Sequence, residues 1–420
     1  MHDTPPTALP TQASAQADAL PMTLILPNAE LEGLLPTAEA PTAPVPTVAL
    51  HWETLNALVS GVSSIDLASV PIASQAEACR FIKAYGYDWQ DPHDRDLLQR
   101  LLDEAIAFVE TRLLDNRCEP LLASMALAIP PHYKLNLDVP TLLLAASGDC
   151  QSVHLQRWAC ALLKVLHVLI HIDNSAYWHY AQLAHDQLSK TFKRVLGHDP
   201  HTGQLVLCSP EVSGQPLPLY TASVKTKKTR ESLLIKLLSK KANMMDEMDD
   251  LIGLRLVTES PAHVVLALHL LQEHHLITFS NINPNRCRNS LLDLPALRAG
   301  YETLAATVAT EAQPWEHWLK WFTAVPDSQG QKSFKAHNPA SAVGYRALHV
   351  TSRYPLLVPT PAVHQRVRRV FFPFELQLTD RVSYEQSQLG DSAHQAYKQR
   401  QLRRARRRVL GALLPKHQTT

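Results

Sequence analysis

No Lys or Arg occurs before Arg80, although the chain is 420 residues long and its formal net charge is +1. A leader without cations lacks the basic region that a secretory signal needs. Its early apolar run, around Leu20 to Pro27, is too short to cross a bilayer. Cysteine is also sparse, and Cys79, Cys118, Cys150, Cys160, Cys208 and Cys287 form no CxxC pair. That scatter excludes a zinc ribbon and a disulfide framework, and it fits a reducing compartment. No internal repeat is present. These absences predict a cytoplasmic protein with no membrane partner.

What is there is ordinary soluble composition, 45% hydrophobic and 19% charged, in a chain long enough for two cores. Residues 1–50 are rich in Pro, Ala and Thr, as in "PTAEAPTAPVPTVAL", and cannot bury enough surface to offset chain entropy. A disordered leader is expected there. Residues 51–215 read as a helical domain. "DPHDRDLLQRLLDEAIAFVETRLL" opens with Asp91 as N-cap and Pro92 in the first turn, and its Leu97, Leu98, Leu101, Leu102, Ala105 and Phe108 recur at helical spacing. "SQAEACRFIKAYGYD" closes at Gly86, and "LQRWACALLKVLHVLIHI" is apolar nearly all round, as a central helix would be. Gly and Pro punctuate residues 195–220 around one short strand candidate, "QLVLC". From 216 to 400 helices alternate with strands, an α/β or α+β pattern. A last helix is expected from about Ser383, running into a basic tail at 401–420 that contains "RRARRR".

Four stretches carry charge where apolar residues would be cheaper. "MDDLIGLRLV" sets Asp249 and Asp250 against a strand that reads as buried on both faces. Strand parity puts Asp250 and Arg255 on opposite faces, and Asp249 is expected to face solvent. "SVKTKKTRESLLIKLLSKK" reads as a basic helix from about Thr229, with Lys228, Ser232 and Lys236 sharing one face and Arg230 and Lys240 nearby. Cations at a helix N-terminus suit a polyphosphate. "VGYRALHVTS" puts Tyr345 and His349 on one strand face, with Arg346, Leu348 and Val350 on the other. "FFPFELQLTD" alternates, with Glu375, Gln377 and Thr379 opposite Phe374, Leu376 and Leu378. Jointly, Asp250 and Glu375 can hold one Mg²⁺ on a shared sheet face, with the basic helix as counter-charge and Tyr345 as a base platform.

The order of these stretches resembles the synthetase domain of the RelA/SpoT family of alarmone synthetases. That family runs R-x-K-x-x-x-S-x-x-x-K, D-x-x-G-x-R, G-Y-R-S-L-H and E-x-Q-x-R-T. Here Lys228, Ser232 and Lys236 match the first motif, and Asp250, Gly253 and Arg255 match the second. "GYRALH" matches the third with one change, and Glu375 and Gln377 match the fourth. Gly390, Ala393, His394, Tyr397 and Lys398 reproduce a further G-x-x-A-H-x-x-Y-K element. The departures are Thr226 for the first Arg, Thr379-Asp380 for Arg-Thr, and Ser383-Tyr384 for the Met-His that follows. Lys335 stands in a faint version of the loop before GYR. The whole chain also resembles an uncharacterised bacterial family with a degenerate synthetase domain.

The resemblance implies an α+β fold, in which an N-terminal all-helical domain precedes a mixed-sheet, nucleotidyltransferase-like domain flanked by helices. It implies Mg²⁺-dependent pyrophosphate transfer from ATP to the 3′-hydroxyl of a guanine nucleotide, GDP or GTP. Lys228, Ser232 and Lys236 would hold ATP phosphates, and Asp250 and Glu375 the metal. Glu375 would also orient or deprotonate the acceptor, and Tyr345 would stack on guanine. Arg255, Arg346, His349 and Gln377 complete the expected nucleotide site. Two alternatives stay open: an inactive pseudo-synthetase that binds nucleotide or RNA as a regulator, and transfer to an RNA 3′ end. The arginine-rich end, with its possible RNA or ribosome contact, is the sequence support for the last.

A second candidate site lies in "QLAHDQL". His185-Asp186, with His167 and His171 one helix earlier, could belong to an HD-type hydrolase, but the Glu-Asp pair of that hydrolase does not follow. Cys287 has basic neighbours and no base partner, and reads as structural.

Overall fold

The computed structural model describes residues 52–61, 63–115, 127–134, 137–148, 152–208, 216–225, 228–240, 245, 248–308, 321, 346–359, 368–388 and 394–414. The expected leader at 1–50, and with it Tyr345, Lys335, Gly390 and Ala393, lies outside the described residues.

Local signals set the helices. α1 spans Trp52–Ser60, and α2 spans Gln75–Ala84 and ends before Gly86, whose φ of +101° turns the chain away. α3, Pro92–Phe108, starts as its sequence asks: Asp91 accepts from the His93 N–H and Pro92 fills the first turn. Leu98, Leu101, Leu102, Ala105 and Phe108 are buried along it. A π-turn, Val109–Leu113, then widens its last turn. α4 is Val139–Ser147, α5 is Val153–Asp173 and α6 is Ala176–Arg194. α5 is the pillar of this region, burying Trp158, Leu162, Val165 and Leu169 completely against α3, α4 and later helices. It is also the one described helix long and apolar enough to cross a membrane, with 61% of that window buried inside the protein.

The chain then enters a seven-stranded mixed sheet. The strands are β1 Leu196–His198, β2 Leu205–Leu207, β3 Leu217–Val224, β4 Ile252–Thr258, β5 Arg288–Asn289, β6 Leu348–Val358 and β7 Arg368–Asp380. Their spatial order is β1-β2-β3-β4-β7-β6-β5, and only the β4–β7 pair is parallel. α7, Arg230–Leu238, follows β3, and α8, His263–Glu273, returns from β4 to pack on β3, β4 and β7. α9 spans Leu294–Val308. The fold is thus α+β, and residues His51–Thr420 cluster as one compact unit.

The expected last helix is two helices. α10, Arg381–Ser387, begins at the N-cap Asp380 and stops before the undescribed 389–393, and α11 spans His394–Leu410. α11 lies against α5 and α7, and it contains the described part of the arginine run. Arg406 in that run is buried (2% exposed) and donates to the carbonyls of Leu113 (2.6 Å), Arg112 (3.3 Å) and Asp115 (3.2 Å). It closes the π-turn's open carbonyls, the usual need at a helix C-terminus. Arg408 pairs with both oxygens of Asp66 (2.8 and 2.7 Å) and donates to Leu238 O (3.4 Å) at the end of α7.

Candidate functional site

Register builds the first half of the site. β4 and β7 pair Gly253 with Glu375 and Arg255 with Gln377, while β6 sets His349 opposite Gln377 and Thr351 opposite Glu375. Because side chains alternate across a strand, these residues share one face. The other face carries Leu254, Leu256, Phe374, Leu376 and Leu378, all fully buried. On the polar face, His349 Nδ1 bonds to Glu375 Oε1 (2.9 Å), Gln377 Nε2 donates to Glu375 Oε2 (2.6 Å), and Arg255 Nη2 donates to Gln377 Oε1 (3.1 Å). A continuous polar chain therefore runs from His349 to Arg255.

The second half sits at the mouth of that face. Asp250 lies in the turn before β4, two residues before the strand begins. Strand parity does not extend to it, which removes the conflict with Arg255: a turn residue can aim at the face that Arg255 occupies. Lys228 approaches Asp250 Oδ2 (2.7 Å) and also donates to the Asp250 carbonyl, and Lys236 donates to the same Oδ2. Thr229 caps α7 through the Ser232 N–H (3.2 Å), and its hydroxyl also donates to Ser232 Oγ (2.9 Å). Lys228 thus precedes the helix, and Ser232 serves the cap instead of joining the lysines at Asp250. Arg230 turns the other way, to Glu104 (2.7 Å) on α3 and Asp173 on α5, and so fixes α7 to the helical region.

Asp249 is not solvent-facing. Arg286 Nε holds its Oδ2 at 3.1 Å, and the Asp249 side chain is 14% exposed, against 27% for Asp250. The turn pairs the first aspartate with an arginine and the second with two lysines, and both are only partly exposed. Burial pushes the Asp249 carboxyl up, with Arg286 opposing.

Lys225, which flanks Thr226 where the family motif has Arg, joins the candidate site. Its N–H donates to Gly253 O (2.7 Å), and a Cβ on Gly253 would stand 2.8 Å from Lys225 Cδ. Glycine at that strand position therefore makes room for the lysine stem. Burial lowers the Lys225 ammonium to about 8 although Glu375 and Asp250 pull it upward. Burial likewise takes Lys228 to about 7 and Lys240 to about 8, in both cases with Lys236 adding to the fall. Burial alone would raise Asp250, but Lys236 and Lys228 outweigh it and hold the carboxyl well below its ordinary range. Glu375 follows the same logic: its bond to His349 overrides burial and brings it to about 2. Cations thus outnumber carboxylates in a partly desolvated mouth, which leaves a positive field for a polyanion.

Arg255 also lies over the Tyr384 ring (5.6 Å), and Tyr384 meets Tyr220 edge-on (6.2 Å). Arg381, the residue after Asp380, lies over Tyr220 (4.8 Å). Arg346 precedes β6 and donates to Leu291 O (3.3 Å). Tyr345 lies outside the described residues, so no base platform is described on that side. Among the described residues no group of three or more His, Cys, Asp or Glu is placed to hold a metal alone. A hard cation here would rest on the two carboxylates Asp250 and Glu375 and complete its shell with water and ligand oxygens, as Mg²⁺ commonly does beside phosphates.

The helical-region histidines form a different arrangement. The Tyr85 hydroxyl bonds to His167 Nδ1 and lies 3.3 Å from His171 Nε2, while His185 and Asp186 contact each other (3.4 Å) on α6.

No family model matches the chain, and no curated protein does. Among solved structures, the small alarmone synthetase 2 from Bacillus subtilis is similar over 55% of this chain and 78% of that one, with 15% identity and a TM-score of 0.28. A likeness that low carries no argument about the site, which rests on its own residues.

Proposed function

We propose that the protein is a Mg²⁺-dependent nucleotide pyrophosphokinase that moves pyrophosphate from ATP to the 3′-hydroxyl of GDP or GTP. One observation carries the reading. Lys225, Lys228, Lys236 and Asp250 gather at the mouth of a sheet face that bears Arg255, Glu375, Gln377 and His349. Stretches far apart in sequence thereby supply clustered cations, two carboxylates and an orienting row of hydrogen bonds, which is what phosphoryl transfer asks of a protein.

In the reaction the acceptor 3′-oxygen bonds to the β-phosphorus of ATP. The bond from that phosphorus to the oxygen bridging to the α-phosphate breaks, AMP leaves with the electron pair, and the hydroxyl proton is released. Lys228, Lys236 and Lys225 bind the triphosphate and offset its charge. Asp250 and Glu375 would hold Mg²⁺, which supplies further charge neutralisation when bound. Triphosphate binding would draw Lys228 and Lys236 from Asp250 to the phosphates and free the carboxylate for that role. Glu375, with its carboxyl near 2, is a weak proton acceptor. Its work is to orient the acceptor hydroxyl, while His349 and Gln377 fix its two oxygens.

The same saturation supports a second reading. Asp250 is satisfied by two lysines and Glu375 by His349 and Gln377, so both carboxylates have partners without a metal. A pseudo-synthetase that binds nucleotide without turnover would have such a site. Incubation with Mg²⁺ and ATP labelled in its β-phosphate, with GDP, GTP, ADP or tRNA in turn, separates the two. Label moving to an acceptor, and lost in Asp250→Asn, supports the transferase. Saturable ATP binding with no transfer to any acceptor supports the regulator.

A further inference from the structure

A cavity of about 310 Å³ lies in the helical region, between α2, α4 and α5, away from the mouth at Asp250. Its size falls in the range of small-molecule sites, roughly 300–1,000 Å³. The wall is apolar, with Ile82, Leu98, Val139, Leu143, Leu166 and Ile170 contributing. Thr54, Ser69, Tyr87 and Cys160 add uncharged polar groups to the lining, and beside them stand one neutral pair and one cation. The neutral pair is Tyr85 and His167, bonded to each other. Burial pushes the Tyr85 phenol up and brings His167 down to about 4, so neither is charged near neutrality. The cation is Lys164, the only Lys or Arg of the lining.

Lys164 makes no ion pair with a carboxylate among the described residues, and burial lowers its ammonium from the ordinary lysine range while Cys160 and Asp66 oppose the fall. Its ammonium donates to the Arg408 carbonyl (3.2 Å), one acceptor for a group that can donate three times. The nearby carboxylate, Asp66, is already gripped through both oxygens by Arg408 (2.8 and 2.7 Å). A cation at an apolar wall is costly unless an anion pairs with it. An occupant that satisfies both wall and cation has a hydrocarbon body and a single anionic head.

We propose that this cavity is a binding site for a medium-chain monocarboxylate, with its chain among the apolar residues of α2, α4 and α5 and its carboxylate on Lys164. A free carboxylic acid suits the enclosure better than a lipid with a bulky head group, since the lining offers one cation and no second charged group. The proposal does not depend on the function of the mouth at Asp250.

Decanoate, decanol and acetate separate the contributions, using the full chain and isothermal titration together with thermal melts. The expected result is saturable binding of one decanoate per chain with a raised melting temperature, and binding at least about tenfold weaker for decanol and acetate. Lys164→Met should erase the preference for decanoate over decanol while keeping decanol binding. Leu163→Trp, which fills the cavity from its own wall, should abolish binding of both. Circular dichroism of both variants establishes that they fold. The proposal is overturned if decanoate neither binds nor stabilises the full chain, as when another segment of the chain fills the space. It is equally overturned if folded Leu163→Trp binds decanoate as well as the parent.

Discussion

Two buried sites of positive charge among the described residues are built on opposite principles. Arg406 is held by the carbonyls of Leu113, Arg112 and Asp115, and its guanidinium serves backbone dipoles at the end of a π-turn. At the mouth of the sheet, Lys228 and Lys236 share one carboxylate, with Lys225 and Lys240 close enough to feel it. The first site uses a cation that cannot lose its proton in a protein. The second uses ammoniums that can titrate: burial loosens the protons of Lys225, Lys228 and Lys240, while Asp250 keeps that of Lys236 tight. A permanent charge matched by local dipoles fixes structure, whereas a surplus of titratable charge around one carboxylate leaves something for a ligand to complete.

The contrast can be broken most forcefully at Arg406. Arg406→Met strands several buried carbonyls, each costing about 1 kcal/mol or more. We expect a loss of about 3–4 kcal/mol of stability, read as a lower urea midpoint, with ATP affinity of the folded fraction unchanged. At the mouth the order reverses. Asp250→Asn should cut pyrophosphate transfer at least about 100-fold, about 2.7 kcal/mol of barrier. At acid pH, where Lys228 and Lys236 stay protonated without the support of Asp250, ATP should bind as tightly or tighter, because the lysines lose their internal partner. Weaker ATP binding in that variant would place Asp250 outside the phosphate site.

Proton linkage sharpens the comparison at smaller scale. Lys228 and Lys225 sit near 7 and 8 when folded, against 10.5 for an unperturbed lysine. A depressed ammonium binds fewer protons folded than unfolded, so its contribution to stability is full above about 10.5. That contribution is lost as pH falls toward 7–8. Polyphosphate binding runs the other way and should weaken as pH rises from 6 to 9, with proton uptake detectable by titration calorimetry in buffers of different ionisation enthalpy. A flat profile would show that these lysines do not contact the ligand. Least of all, replacing Arg403, Arg404 and Arg407 together by Gln should change stability by no more than about 0.5 kcal/mol. All three are exposed neighbours of Arg406 in one run, so an equal loss there would erase the distinction.

Legibility in the sequence followed the range of the interaction. Asp91 and Pro92 announce α3 because capping is settled within three residues, and the alternation of Phe374 to Thr379 identifies β7 because a strand's two faces are written in its own residues. The parallel pairing of Arg255 with Gln377 is not local: the motif brought both residues into view, but their contact depends on register between strands more than 100 positions apart. Asp249, expected to face solvent, meets Arg286 instead, because a turn, which obeys no period, decides where it points. Lys225 was hidden for another reason. Its place over Gly253 is visible only once the glycine is known to lie beneath it. In "RRARRR", identical arginines gave no hint that Arg406 is sealed in the core and Arg408 is held by Asp66 and Leu238, while Arg403, Arg404 and Arg407 are exposed.

The Arg406 contact also has a consequence in time. Its partner Leu113 precedes it by 293 residues. At about 5–20 residues per second of synthesis, the π-turn waits roughly 15–60 s for the guanidinium that closes it. During that interval the carbonyls at the end of α3 must be served by water, so the apolar flank of α5 that α11 will cover stays open. A nascent chain of this protein should therefore depend on chaperone shielding most acutely after the helical region has emerged and before α11 arrives.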